Sequence, residues 1–352
     1  MKRATVLPQS AVTRLRFAIL GTGYWSRYQL AAWRELRGAE CVALCDRSRE
    51  RAERLGREFG IAAIHEDPVE LFERERLDFV DIIADVQAHA PLTRIAAEHK
   101  LPVICQKPMA ATWRDARMMV QFCARKRTPF LIHENFRWQA PMRALAAELR
   151  RGTIGRTFRA RIDFISGFPV FANQPFLAGL DQFVISDVGS HALDLARFLF
   201  GEARSVYCRT RRINKSIKGE DVATIMLETC GGAHIVINLA YAGNALEREV
   251  FPETLVFVEG ENGSAELSPG CVLRTTTREG TLVRKANPAH YSWADPRYAV
   301  VHSSIVDCNA NLLAALQGRG VAETSAQDNL RTMRLVFGAY ESAACGCAIV
   351  VD

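Results

Sequence analysis

The chain has 352 residues, 49% of them apolar and 24% charged, with a formal net charge of +6. That length suits two domains, and the apolar share excludes an intrinsically disordered chain. Basic residues are interspersed with acids, as in Arg47 to Arg57, so no dense basic and aromatic block marks a nucleic-acid groove.

In chain order, the first fourteen residues lack the apolar core of a secretory signal and read as a loose leader, 1–14. No stretch reads as long and apolar enough to span a membrane. The ten cysteines make no disulfide framework. Cys41, Cys45, Cys105 and Cys123 sit in apolar elements as small buried residues. Cys345-x-Cys347 lacks the further ligands that zinc wants, so no metal is expected. A reducing, cytoplasmic setting follows from that usage.

The first informative stretch runs from Leu15 to Asp46. An apolar run, Leu15 to Leu20, ends in Gly21-Thr22-Gly23-Tyr24-Trp25-Ser26. A helical pattern follows, with Trp25, Leu30, Trp33 and Leu36 recurring, and a second apolar run from Cys41 to Cys45 ends in Asp46. Strand, glycine turn, helix, strand, acid is the order of a dinucleotide-binding unit. Gly21 allows the sharp turn. Gly23 lets a pyrophosphate approach backbone N–H groups at the start of the helix. Asp46 accepts hydrogen bonds from a ribose diol and repels a 2′-phosphate, which favours NAD. Arg47 beside it can accept that phosphate, so NADP stays open as the alternative cofactor. Ser26 stands in place of a third glycine and is small enough for close helix–strand packing. An ordinary strand-to-helix turn is the plain alternative for two glycines alone.

Alternation continues to residue 133. Strands are expected at 15–20, 41–46, 79–84, 102–105 and 130–133, with a short one near 62–64. Helices are expected near 24–37, 48–58, 67–75, 90–99 and 112–126. Nearly continuous apolar runs such as Phe79 to Ala84 suit a parallel sheet covered on both faces. Right-handed crossovers place all strand carboxyl ends on one edge, which gathers Gly21, Asp46, Asp85, Gln106 and His133. Asp85 and His89 flank a helix start there, where a plain surface loop is the alternative. Lys107 directly follows a buried strand and precedes Pro108, where a solvent-facing loop lysine is the alternative.

A helix over 139–151 is broken by Gly152 and Gly155. The domain boundary is placed here, giving 15–138 to nucleotide binding and 139–352 to a second domain. Strand-like segments then follow one another at 157–165, 204–212, 221–229, 233–240, 252–260, 263–267, 270–277 and 281–286. Their turns suit a mainly antiparallel sheet. Helices near 187–199, 299–317 and 325–344 complete an α+β arrangement. In the first of these, Asp187 and His191 are four apart and share a face, with Asp194 close to it. A histidine there is suited to accept a hydroxyl proton near neutral pH. A structural Asp–His pair, or Asp187 as a helix cap, is the alternative.

In combination these residues resemble the family of glucose–fructose oxidoreductases, inositol dehydrogenases and rhizopine-catabolism proteins. The resemblance covers nearly the whole chain beyond residue 14. It is carried by Gly21-x-Gly23 with Trp25, by Asp46, by Asn135, Arg137 and Pro141, and by Asp187-x-Gly189-x-His191-x-x-Asp194. Gln106-Lys107-Pro108 stands where the family usually has Glu-Lys-Pro, and Asp85-Val86 where Thr-Pro is common. The resemblance implies a Rossmann domain followed by an α+β domain on an open, mostly antiparallel sheet. It implies hydride transfer between NAD, or NADP, and a secondary alcohol of a sugar, inositol or related cyclic polyol. Lys107, Asp187 and His191 would be the catalytic group. Gly21, Gly23, Tyr24, Trp25, Asp46, Arg47, Asp85, His89, Gln106 and Lys107 would meet the cofactor. Arg137 and Trp293 would join Lys107, Asp187 and His191 at the substrate, with Tyr291, Arg297 and His302 near Trp293 in sequence. The open sheet would be covered by a second subunit in a homodimer or homotetramer. A nucleotide-binding sensor of the same fold is one alternative. A dehydrogenase for an unsaturated diol or a nucleotide-linked sugar is another.

Overall fold

A computed structural model of the chain describes residues 14–243 and 245–351, so the expected leader lies outside the described residues except for Arg14. The first sheet is built from β1 (Leu15–Leu20), β2 (Ala39–Cys45), β3 (Ala63–His65), β4 (Phe79–Ile82), β5 (Val103–Gln106) and β6 (Phe130–His133). Its order is β3-β2-β1-β4-β5-β6 and every pairing is parallel. The crossovers are α1 (Tyr24–Arg34), α2 (Arg49–Phe59), α3 (Pro68–Arg74), α4 (Val86–Glu98) and α5 (Trp113–Lys126). Side chains of Ser48, Asp67 and Thr112 cap α2, α3 and α5, which fixes where three of these helices begin. β4 stops two residues before its expected end. Ile83 and Ala84 leave the ladder to pass over Gly21, where an added Cβ would lie 2.4 Å from the Ile83 carbonyl oxygen.

The second sheet begins after α6 (Ala140–Arg151) with β7 (Thr157–Ile165). A one-turn helix α7 (Val170–Asn173) and then α8 (Ser190–Phe200) precede β8 (Ala203–Arg211), β9 (Val222–Thr229) and β10 (His234–Ala240). β11 (Leu255–Gly260), β12 (Gly263–Ser268), β13 (Val272–Thr277) and β14 (Gly280–Lys285) form a meander. After α9 (Ala299–Leu316) and α10 (Ala326–Cys345), a two-residue β15 (Ile349–Val350) adds the last strand. The order is β14-β13-β12-β11-β7-β10-β9-β8-β15, antiparallel except for β10 against β7. In β9 the residues Ala223, Ile225 and Leu227 are buried while Thr224 and Met226 face outward, so one face is packed and the other open. α8 packs on the closed face and is buried along most of its length.

The division at one point in the chain is not clean. Cys308, Leu312 and Leu313 of α9 enter the core around Ile19, Trp33 and Leu44 of the first sheet. Ala326 and Met333 of α10 pack with Val80, Cys105 and Met119. The chain therefore returns from the second sheet to cover the first. Among the described residues one helical stretch, Pro296–Leu316, is long and apolar enough by composition to cross a membrane, contrary to the sequence expectation. Most of it is buried, because its apolar side chains meet α1 and the first sheet. Cys345 and Cys347 are joined by a disulfide around Gly346, a pairing the sequence expectation leaves out.

Candidate active site

The carboxyl edge of the first sheet carries the nucleotide features. Gly21 has φ +97°, a conformation that favours glycine, and its N–H donates to the Cys45 carbonyl at 2.8 Å. A Cβ at Gly23 would meet nothing within 4 Å, and no side chain caps α1 behind it. Open space before uncapped helical N–H groups fits a pyrophosphate. Ser26 is buried and donates to the Gly23 carbonyl at 2.6 Å, which braces the turn. Tyr24 is exposed, whereas Trp25 is half-buried and packs against the cores of both domains. Asp46 accepts from the Thr22 N–H and hydroxyl at 2.8 and 2.9 Å on one oxygen. Its other oxygen accepts from the Ser48 N–H at 2.8 Å and Arg51 at 2.9 Å. Against the desolvation of its burial, those donors hold its carboxyl below the usual range. Arg51, rather than Arg47, is the cation on this acid. Arg47 and Asp85 are exposed along the same edge.

The candidate acid–base residues are brought together across the two domains. Lys107, at the end of β5, donates to the Asp187 carboxylate at 2.9 Å and to the Asp187 carbonyl at 3.1 Å. Asp187 lies in a π-turn, Ile185–Gly189, that leads into α8. Such turns inside helices leave carbonyls free and recur at functional sites. Glu220 holds the start of this turn by accepting the Phe183 and Ile185 N–H groups and the Tyr340 hydroxyl. One turn on, the His191 ring stacks on Phe136 with centroids 3.7 Å apart and planes at 5°. Its Nδ1 contacts Glu134, the residue directly after His133. Burial pushes His191 well down, helped by the Lys107 charge, and pushes Glu134 up to about 7. The imidazole is thus neutral and able to accept a proton, with a carboxyl fixed behind it.

This arrangement can be set beside known proteins. The profile of the oxidoreductase family with an NAD-binding Rossmann fold matches residues 15–133, and that of the GFO/IDH/MocA C-terminal domain matches residues 142–266. D-apiose dehydrogenase of Rhizobium rhizogenes is 42% identical over 335 residues, covering 95% of this chain and 97% of that protein. The chain belongs to the Gfo/Idh/MocA family. An oxidoreductase from Agrobacterium radiobacter, solved in complex with NAD+, L-tartaric acid and magnesium, has a TM-score of 0.94. It is 42% identical, with 96% of this chain and 99% of that chain covered. The WlbA dehydrogenase from Bordetella pertussis, at 20% identity and TM-score 0.81 over 98% of this chain and 99% of that chain, shares the fold. This Gfo/Idh/MocA protein is an NAD(P)-dependent oxidoreductase of the sugar and polyol class.

Several expected site residues lie elsewhere in this family member. His89 is buried, with Nδ1 3.0 Å from the Pro108 carbonyl oxygen and Nε2 3.0 Å from that of Ala84. It lies between the end of β4 and the turn after Lys107, its one N–H bonded to a protein carbonyl, and both ring nitrogens face the protein. Arg137 is also turned inward. It makes a two-pronged pair with Asp194 and further bonds to the Glu323 carbonyl and Asp328. Asp194 is thereby a partner of Arg137 and not part of the acid–base group. Trp293 stacks on Tyr291, donates to Glu35 at 2.9 Å, and lines a cavity of about 300 Å³ with Arg27, Tyr28 and Glu58 on the outer side of α1. The Gln106 amide faces inward, toward Gln29 and His133. Arg297 pairs with Asp295, and His302 is buried against Tyr28. Glu134, in contact with His191, is a candidate side chain that sequence reasoning missed. Its signal is the one that singles out Lys107, a charged residue directly behind a buried strand at the carboxyl edge.

Proposed function

We propose that this enzyme oxidises D-apiose or a closely similar aldose, with NAD as the preferred cofactor. The 42% identity to an apiose dehydrogenase along almost the full length of both chains supports the substrate. The Lys107–Asp187 and His191–Glu134 contacts support the chemistry. In the ring form of an aldose the anomeric carbon bears one hydrogen and one hydroxyl, so it reacts as a secondary alcohol. The bound nicotinamide supplies the hydride acceptor. His191 takes the hydroxyl proton at Nε2 while Glu134 steadies the imidazolium from Nδ1. Lys107 donates to the same oxygen and stabilises the charge that develops as the proton leaves. Asp187 keeps the Lys107 ammonium aimed at that point. Loss of the proton and the hydride converts the hemiacetal carbon to a lactone carbonyl.

Asp46 and its ring of donors support NAD over NADP, and Arg51 is the group that would lie against a ribose. The open face of the second sheet, with Met226 exposed on it, supports burial against a second copy in a homodimer or homotetramer. The decisive experiment follows reduced-nicotinamide absorbance with D-apiose, D-xylose, levoglucosan, myo-inositol and L-tartrate, each with both cofactors. Turnover is expected to be highest with D-apiose and NAD. Cofactor binding with no turnover on any of them would favour the sensor reading instead.

A further inference from the structure

The apolar run of β4 conceals a fully buried carboxyl group, Asp81, in the middle of the parallel sheet. Its hydrogen-bond partners are donors. Gln29 Nε2 lies 2.9 and 2.8 Å from its two oxygens, and the Trp33 indole N–H is 2.7 Å from one of them. In its ionised form Asp81 only accepts, so Gln29 turns its NH2 toward Asp81 and its carbonyl away. That carbonyl is met at 2.6 Å by Gln106 Nε2, which also lies 3.1 Å from His133 Nδ1. Gln106 must therefore present its NH2 to both, and His133 Nδ1 must be the unprotonated nitrogen. Its Nε2–H then donates to Asn309 Oδ1 at 3.1 Å. The remaining end of Gln106, its Oε1, accepts the Lys107 backbone N–H at 3.1 Å. Above pH 7, where Asp81 is ionised, every link is set in direction by the anion at one end. Asp81, Gln29, Gln106, His133 and Asn309 are all buried, so no water is at hand to repair a broken link.

We propose that Asp81 is a positioning residue for catalysis: through Gln29 and Gln106 it fixes the Lys107 backbone and the His133 tautomer, and so aligns the two strand ends that carry Lys107 and Glu134. This rests on the reading of Lys107 and His191 as the acid–base groups. It also accounts for the amide at position 106. A carboxylate there would require Gln29 to donate in both directions, and its carbonyl would then face the Asp81 anion.

The polarity makes the inference testable by reversal. Asp81→Asn offers an NH2 where an acceptor is needed, and Gln106→Glu places a second anion in the relay. Either change alone disturbs the Lys107 turn. Together they restore a consistent chain that runs the other way. The introduced asparagine donates to Gln29, Gln29 donates to the introduced glutamate, and His133 is protonated at Nδ1. Because small misplacements of catalytic groups are costly, each single variant should lose about 10- to 100-fold in kcat with substrate KM little changed. The double variant should recover to within a few-fold of wild type. A double variant as impaired as the product of the singles overturns the inference, as do single variants with unaltered kcat. Nitrogen-15 NMR of His133 reads the relay without turnover. Above pH 7, where Asp81 is ionised, the wild-type ring must be unprotonated at Nδ1, and protonation there overturns the proposal even if a variant fails to fold. Lys107→Met separates the two layers. Full turnover in that variant would remove the acid–base reading, while the His133 tautomer would still report on the relay.

Discussion

Above pH 7, replacing Glu134 by Gln removes one charge from the proposed acid–base group and little else. Glu134 is fully buried, and its Oε1 meets both His191 Nδ1 and the Phe136 N–H, the latter at 3.2 Å. A glutamine can present its own Oε1 to both donors, so the histidine keeps its tautomer, and the stacked Phe136 ring keeps the imidazole plane. The amide nitrogen then lies where Glu134 Oε2 is, a buried position without a hydrogen-bond partner. The loss is the charge assistance given to the imidazolium as it forms. Hydrogen bonds to charged groups contribute about 1.5–3 kcal/mol, which corresponds to a fall in kcat of about 10- to 150-fold. Cofactor affinity, read by fluorescence titration, should be unchanged, because Glu134 makes no hydrogen bond to the glycine turn. The sign of the pH effect is also fixed. Glutamine removes both the carboxyl pushed up to about 7 and, above that pH, the anion behind His191, so the acidic limb of kcat/KM moves to lower pH. A variant with wild-type kcat, or one whose acidic limb moves upward, would refute the role given to Glu134.

Three further outcomes are expected. Arg137→Met leaves the Asp194 carboxylate buried without its two-pronged partner, and should lower unfolding free energy in urea by about 3–5 kcal/mol. The folded fraction should retain its substrate KM, which a substrate-contact role for Arg137 does not allow. Arg51→Ala frees one oxygen of Asp46 and removes a cation suited to a 2′-phosphate, so the NADP-to-NAD ratio of kcat/KM should fall several-fold. Burial raises Asp81 from 3.8 to about 7, against the Trp33 and Gln29 hydrogen bonds, so between those values the native state binds more protons than the unfolded one. That part of the stability is present at acid pH and lost as pH rises toward 7, at up to about 1.4 kcal/mol per pH unit. Urea titrations at pH 5 and 7 should show a shallower decline for Asp81→Asn than for wild type.

The parts of the site that are local in sequence are legible there. Gly21, Gly23 and Asp46 lie within one strand–turn–helix–strand unit, where each residue's placement follows from its neighbours. Lys107 and His191 stand out as candidates for a similar reason, since a strand end and a helix face are local features. What sequence does not carry is the choice of partner. Arg137 bonds to Asp194, Glu323 and Asp328, which lie between 57 and 191 residues away, so nothing near it distinguishes a substrate contact from a buried pair. Sequence places His89 and Trp293 by type, one as a cofactor-side histidine and the other as a pocket aromatic. Their partners are the carbonyl of Pro108 and the side chain of Glu35, which only the folded chain brings near. Asp81 is hidden by the hydrophobic run around it, because an isolated acid hardly disturbs the pattern of a buried strand. The π-turn at Asp187 is invisible as well, since one extra residue in a helical turn leaves the apolar spacing almost intact.

The split origin of the acid–base group bears on how the enzyme can move. Lys107 and Glu134 stand on ends of the first sheet, whereas Asp187 and His191 come from the second domain. A hinge opening between the domains would part Lys107 from Asp187 and His191 from Glu134 at the same time. The structure opposes such opening at three places. Trp25 packs on both cores, α9 and α10 cross back onto the first sheet, and Arg137 on the connection after β6 is paired with Asp194 of α8 and Asp328 of α10. Parting buried charges without solvent is strongly unfavourable, so the Arg137 cluster acts as a lock on the docked state. The two domains are therefore expected to stay docked as one body. On that view the inward-facing Arg137 serves the same reaction from behind, by keeping the base and its carboxylate in register while sugar and cofactor come and go.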